Sequence, residues 1–139
     1  MRKRTLAREL ALQVLYQMDI TGDGSEPALD NFWAARSEEK IEEEVKSFAG
    51  ELVKGVSDNL AQIDEKIMSY AANWQLKRMA VIDRNVLRMG CFELIWRKDI
   101  PPKVAINEAV EVAKKYSGLE AGKFVNGILD KIKQEITNG

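Results

Sequence analysis

The feature that most restricts how this chain can fold is the spacing of its apolar residues, which recur at threes and fours, with no segment of strict apolar–polar alternation. That spacing lays a stripe along one side of an α-helix, whereas strands need a period of two. From Thr5 to about Asp19 the stripe is Leu6, Ala7, Leu10, Ala11, Val14, Leu15 and Met18. Residues 20–27 read as a turn-rich loop, and Leu29, Phe32 and Trp33 suit a short helix. Ser37 is placed to N-cap a third helix, with Glu38 and Glu39 near its positive end. Its apolar file, Ile41, Val45, Phe48, Leu52, Val56, Leu60, Ile63, Ile67 and Tyr70, keeps period through Gly55. This predicts one long helix, with a break near residues 57–59 as the alternative.

Trp74 to Lys77 reads as a short helical turn or connector. From about Val81 to Arg97 a helix is predicted to bury Ile82, Val86, Met89 and Leu94, with Leu87 and Cys91 flanking. Pro101-Pro102 stops it, and Pro102 can occupy the first turn of the next helix, about 102–116. There Ala105, Ala109, Val112 and Tyr116 share one file until Ser117-Gly118 ends it. A last helix, about 121–136, carries Val125, Ile128, Leu129, Ile132 and Ile136. The expectation is an all-α domain of about seven helices over residues 1–139, in two packed sub-bundles, about 1–70 and about 71–139.

Several kinds of chemistry are excluded early. The chain has 139 residues, no histidine and one cysteine, which removes His-paired nucleophiles, the commonest zinc sites and an internal disulfide. Cys91 lies within an apolar stretch and is expected to be a buried, inert thiol. Asp19-Ile-Thr-Gly-Asp-Gly starts like a calcium loop, but position twelve is Asp30 and position nine is Pro27, so a connector is the reading. Gly118 to Phe124 is one residue short of a phosphate-binding loop, has Phe where Ser or Thr would hold magnesium, and follows no strand. The Glu38–Glu44 run is read as a solvated face around a helix. No cofactor, metal or catalytic pair is expected. No apolar run reaches the ~18 residues of a membrane span, and Arg8 and Glu9 interrupt the stretch that a signal sequence needs; a cytoplasmic protein is the expectation.

The distribution of charge carries more information than its total. Net charge is −1, yet residues 1–8 hold four cations and no acid, residues 9–66 are at −9, and residues 67–139 are at +4. Arg2, Lys3, Arg4 and Arg8 run into the first helix, and at ~100° per residue Tyr16 lies on the same exposed side as Arg8. Guanidinium groups bind phosphate, and a tyrosine ring is a platform for an unpaired base. Lys103 opens one helix, Lys114 and Lys115 close it, and Lys123 starts the next. Single-stranded RNA is the ligand class that such cations and aromatics suit. A frayed basic terminus and a half-buried tyrosine remain the plain alternative.

Several stretches are more specific than amphipathicity demands: Ala7-Arg-Glu-Leu-Ala-Leu-Gln-Val-Leu-Tyr16, Ile82-Asp-Arg-Asn-Val-Leu-Arg88, Phe92-Glu-Leu94, Pro102-Lys-Val-Ala-Ile-Asn-Glu-Ala-Val110 and Lys123-Phe-Val-Asn-Gly-Ile-Leu-Asp130. In this order they make the whole chain resemble the NusB family of bacterial transcription antitermination factors. The related helical module of ribosomal-RNA cytosine methyltransferases is the second match. The chain ends at Gly139 with no cofactor-binding domain, so the free-standing factor is expected. The resemblance implies a non-enzymatic role. With the small-subunit ribosomal protein NusE, such a factor binds boxA RNA and joins an RNA-polymerase antitermination complex on ribosomal-RNA operons. Carried over by position, the RNA side is Arg2, Lys3, Arg4, Arg8, Tyr16, Lys103, Tyr116, Lys123 and Phe124. Asp83 would face NusE, and Glu120, the one acid between Tyr116 and Lys123, would moderate RNA affinity. Phe124 could equally be core. Asn107 and Asn126 are expected to bond backbone at helix junctions, and Gly127 to allow close helix packing. A protein-only adaptor is the remaining alternative.

Overall fold

A computed structural model describes residues 2–71 and 76–138, with the backbone alone at position 77. Among these residues there are seven α-helices and no strand: α1 (Lys3–Thr21), α2 (Ser25–Ala35), α3 (Glu43–Asp58), α4 (Leu60–Tyr70), α5 (Val81–Trp96), α6 (Pro102–Ser117) and α7 (Leu119–Asn138). A short 3-10 turn covers Leu76–Arg78, while Trp74 lies outside the described residues. Two compact units divide between Asp58 and Asn59.

In the first unit α1 packs against α3, and α2 closes over both. The stripe of α1 supplies Ala7, Leu10, Ala11, Val14 and Leu15, and α3 answers with Val45, Phe48, Leu52, Val53 and Val56, all buried. Met18 is only half-buried. Gly22 terminates α1 at φ 80°, its amide reaching the Met18 carbonyl at 2.8 Å. That left-handed turn suits glycine.

The third helix departs from expectation at both ends. Ser37 does not cap it: its amide donates to the Ala34 carbonyl at 3.3 Å, so it belongs to the tightening last turn of α2. The start of α3 is instead at Glu43, with the amides of Val45 and Lys46 both reaching the Glu42 carbonyl at 3.1 Å. The long helix is also two helices. Asn59 sits at φ −118°, ψ 21°, off helical geometry, and its carbonyl starts α4 by accepting from the Ile63 amide at 2.9 Å. Ser57-Asp58-Asn59 is a run of residue types with low preference for a helix interior, and the helix breaks there although the apolar period continues. Leu60, expected in the apolar file, is 38% exposed, and Tyr70 is half-buried.

In the second unit α5 is buried continuously from Asn85 to Leu94, and α4, α6 and α7 all pack on it. Ile82 lies before that buried stretch and is half-buried, as is Ile136 near the end of α7. A polar network is built into the α4–α5 contact. The Arg88 guanidinium donates to both carboxylate oxygens of Asp64 at 2.8 and 3.0 Å, and to Asn85 Oδ1 at 3.2 Å. Asn85 in turn donates to the Val81 carbonyl at 2.9 Å. Two ends of one guanidinium are thereby satisfied inside the unit, the condition under which a charge tolerates burial.

The close approach of α7 to α5 falls at Gly90. A Cβ there would lie 2.6 Å from Leu129 Cδ1 and 3.4 Å from Ala109 Cβ, and Leu129 is fully buried and cannot swing away. Gly127, expected to serve this purpose, has nothing within 4 Å and faces open space. Asn107 and Asn126, expected at buried junctions, are both exposed, because each falls on the outer side of its helix. Gly90→Ala should therefore destabilise the protein by about 1–2 kcal/mol, overpacking winning over helix propensity. Gly127→Ala should stabilise it by about 0.5–1 kcal/mol. Urea melts of both variants check the pair, and the same sign for both would contradict the packing.

Candidate nucleic-acid interface

The residues expected to meet RNA fall into two sets, one on each unit. On α1, Arg2, Lys3 and Arg4 are exposed and Tyr16 is 40% exposed, as expected. Arg8 is not: only 3% of it is accessible, and its guanidinium lies 5.3 Å from the centroid of the Phe48 ring. The same ring holds the Arg4 guanidinium at 4.4 Å. The correction has a simple cause. Arg8 lies on the side of α1 that meets α3, where an arginine stem buries well and its planar head stacks on an aromatic face. Lys3 Nζ contacts Glu44 and lies 2.9 Å from Glu42 Oε2. These two carboxylates, Glu44 first, hold the Lys3 ammonium well above the ordinary lysine range, and Lys3 in return lowers Glu44. The expected solvated face over Glu38–Glu44 is thus partly a clamp, and residues 38–42 are not helical. With 1.5 Å rise per residue, Lys3 and Tyr16 stand about 20 Å apart along α1.

On the second unit the set gathers at the turn between α6 and α7. Gly118 makes that turn at φ 99°, which brings the last residues of α6 back beside the first of α7. Gly122 belongs to the same approach, since a Cβ there would lie 2.5 Å from Lys114 Cγ, so this glycine serves packing. Tyr116 is 37% exposed, with Lys115 Nζ 5.5 Å from its ring centroid. Lys123 is exposed and lies 3.6 Å from Glu120 Oε1, both side chains more than three-quarters open to solvent. Lys103, at the first turn of α6, is about 20 Å along the helix from Tyr116 and does not join this cluster.

Phe124 is half-buried and settles neither as core nor as surface. It lines a groove of about 350 Å3 with Arg78, Met79, Ala80, Asp83, Glu120 and Ala121. Three residues expected to serve different partners therefore share one depression. Asp83, in the first turn of α5, is half-buried, and its Oδ1 is inaccessible and accepts no hydrogen bond from any described group. An acceptor buried without a donor costs about 1–3 kcal/mol. Sequence reasoning found Asp83 only by resemblance, and it missed the Glu42–Glu44 clamp and the Asp64 partner of Arg88. Both lie far along the chain from the residues they hold, 41 and 24 positions away, where no local pattern reports them.

Cys91 is fully buried, and burial pushes its thiol up to about 12, which leaves it protonated and unreactive in the fold. Among the described residues no group of three or more acid or thiol side chains is arranged to hold a metal ion, and no helix is long and apolar enough to cross a membrane.

The arrangement defines an all-helical protein with basic and aromatic groups displayed on two compact units. The NusB family model matches residues 5–134, and the chain belongs to the NusB family. It is 51% identical over 130 residues to the transcription antitermination protein NusB of Anaeromyxobacter dehalogenans, covering 94% of this chain and 89% of that one. Among solved structures it is similar to T. maritima NusB, with a TM-score of 0.84 and 38% identity over 97% of this chain and 92% of that chain. It is also similar to a crystal structure of the antitermination factors NusB and NusE in complex with dsRNA, with a TM-score of 0.85 and 30% identity over 97% of this chain and 98% of that chain.

Proposed function

We propose that this protein is a bacterial transcription antitermination factor that binds boxA RNA in nascent transcripts together with NusE, joining the RNA-polymerase complex on ribosomal-RNA operons in the cytoplasm. Its role is binding and not catalysis. The observation that carries this reading is the pair of exposed basic–aromatic sets, on α1 and at the α6–α7 turn, in a member of the NusB family. Arg2, Lys3, Arg4, Lys103 and Lys123 supply charge for phosphates, while Tyr16 and Tyr116 present ring faces that an unpaired base can cover. Those faces favour a single strand, since a paired base keeps its own neighbours stacked. Buried Arg8 acts by fixing Phe48 and the start of α1. Phe124 lines one groove with Glu120 and Asp83, and Glu120, open to solvent, opposes phosphates near Lys123.

Two measurements test the reading. With four or five cations on phosphates, log affinity for a single-stranded boxA oligonucleotide should fall against log salt with a slope of roughly −3. Replacing Arg2, Lys3 and Arg4 by Ala should bring the slope to about −1, because each lost phosphate contact removes ~0.7. The melt should change little, and an unchanged slope would place the RNA surface elsewhere. The second concerns the protein partner. The resemblance turns Asp83 toward NusE, so Asp83→Ala should weaken NusE binding by about 2 kcal/mol, roughly 30-fold. The stability of the free protein should stay within about 1 kcal/mol, since relief of the orphaned acceptor offsets a lost helix-dipole contact. Full NusE affinity in calorimetric titration would remove Asp83 from that interface.

A further inference from the structure

Most of the cations at the start of α1 already have partners within the protein. Lys3 is gripped by Glu42 and Glu44, and Arg4 and Arg8 lie over Phe48, so the segment 42–48 engages three of the four basic residues at the start of the chain. This is a tertiary contact between residues 41 positions apart, unlike the local pair of Lys123 with Glu120. Charge decides what the contact does to an approaching phosphate. Residues 42–48 carry three carboxylates and one ammonium, that of Lys46, 4.0 Å from Glu43, so this segment by itself sets negative charge beside the cations of α1. Two carboxylates on one ammonium occupy the positions that phosphate oxygens would take.

We propose that the start of α3 is an intramolecular competitor for RNA, with Glu42 and Glu44 occupying Lys3 until phosphates displace them. The inference rests on the reading of α1 as an RNA surface. Lys3, Glu42 and Glu44 are each more than half exposed, at 54%, 60% and 63%, so the clamp opens without disturbing the core. An exposed pair of this kind is weak, and RNA that brings several phosphates to α1 outcompetes it, while a short or misplaced segment does not. The clamp therefore acts as a threshold that favours a ligand fixed by further contacts, whether at the α6–α7 turn or through a second protein. It also holds Lys3 against α3 in the free protein, close to where the neighbouring Arg4 is stacked.

A double-mutant cycle on the full chain tests this, with a single-stranded boxA oligonucleotide titrated at low salt by fluorescence anisotropy. Glu42→Gln/Glu44→Gln should tighten binding about two- to fivefold, the range set by an exposed ion pair. The gain should shrink at high salt, where exposed charges are screened. In a Lys3→Ala background the same two substitutions should give little or no gain, because there is no ammonium left to release. An equal gain with and without Lys3 would show a general charge effect and overturn the competition, as would no gain at all. If neither wild type nor any variant binds, with or without NusE and with circular dichroism showing intact helices, the RNA reading itself falls. Binding by wild type without coupling in the cycle removes the competitor alone.

Discussion

The second unit depends on one close contact, that of α7 against α5 at Gly90. A helix buried continuously from Asn85 to Leu94 needs neighbours on every side, and the missing Cβ of Gly90 lets the fully buried Leu129 seat directly on its backbone. Ala109 of α6 reaches the same spot, so three helices meet where α5 carries no side chain of its own. The consequence for the site is positional. With α6 and α7 both registered on α5, the Gly118 turn is held at one end of the unit, and Tyr116, Glu120, Lys123 and Phe124 are presented from a rigid hairpin. The first turn of α5 contributes Asp83 to the same groove.

Electrostatically, the protein keeps its cations occupied. A chain at net −1 that binds a polyanion cannot rely on overall attraction and must concentrate positive charge locally. It does so, yet Lys3, Lys114 and Lys123 each have a carboxylate within 4.0 Å. Exposed pairs of this kind contribute little to stability. The buried pair is of another kind. Arg88 and Asp64 form two parallel hydrogen bonds with only 11% and 26% of their side chains accessible, and removing one partner would strand the other's charge.

What the sequence made legible follows from the range of the interactions involved. Helices were readable because periodicity, the Pro101-Pro102 stop and the Gly118 turn are local signals, and each is where it was expected. The break at Asn59 was a local signal too, but it competes with the apolar file running through it, and the structure shows that the break prevails. Burial of individual residues was less legible. Arg8 and Tyr16 stand about 80° apart around α1 at ~100° per residue, and α3 covers the first and leaves the second 40% exposed. Gly90 and Gly127 look alike in sequence, each a glycine within a helix, and only the neighbour across the interface separates them. The Lys3 clamp and the Asp64–Arg88 bridge join distant parts of the chain and leave no trace in any local pattern.

The central claim is that RNA is received on the exposed basic and aromatic groups of α1 and the α6–α7 turn. Amide chemical-shift mapping on isotope-labelled protein, with a single-stranded boxA oligonucleotide added stepwise, tests it residue by residue. Perturbations are expected at residues 2–5, around Tyr16, at Lys103 and across 115–124, with a scrambled oligonucleotide producing smaller shifts at the same places. Shifts confined to the groove between α2 and α3, lined by Glu26, Trp33, Lys46 and Lys54, would contradict it.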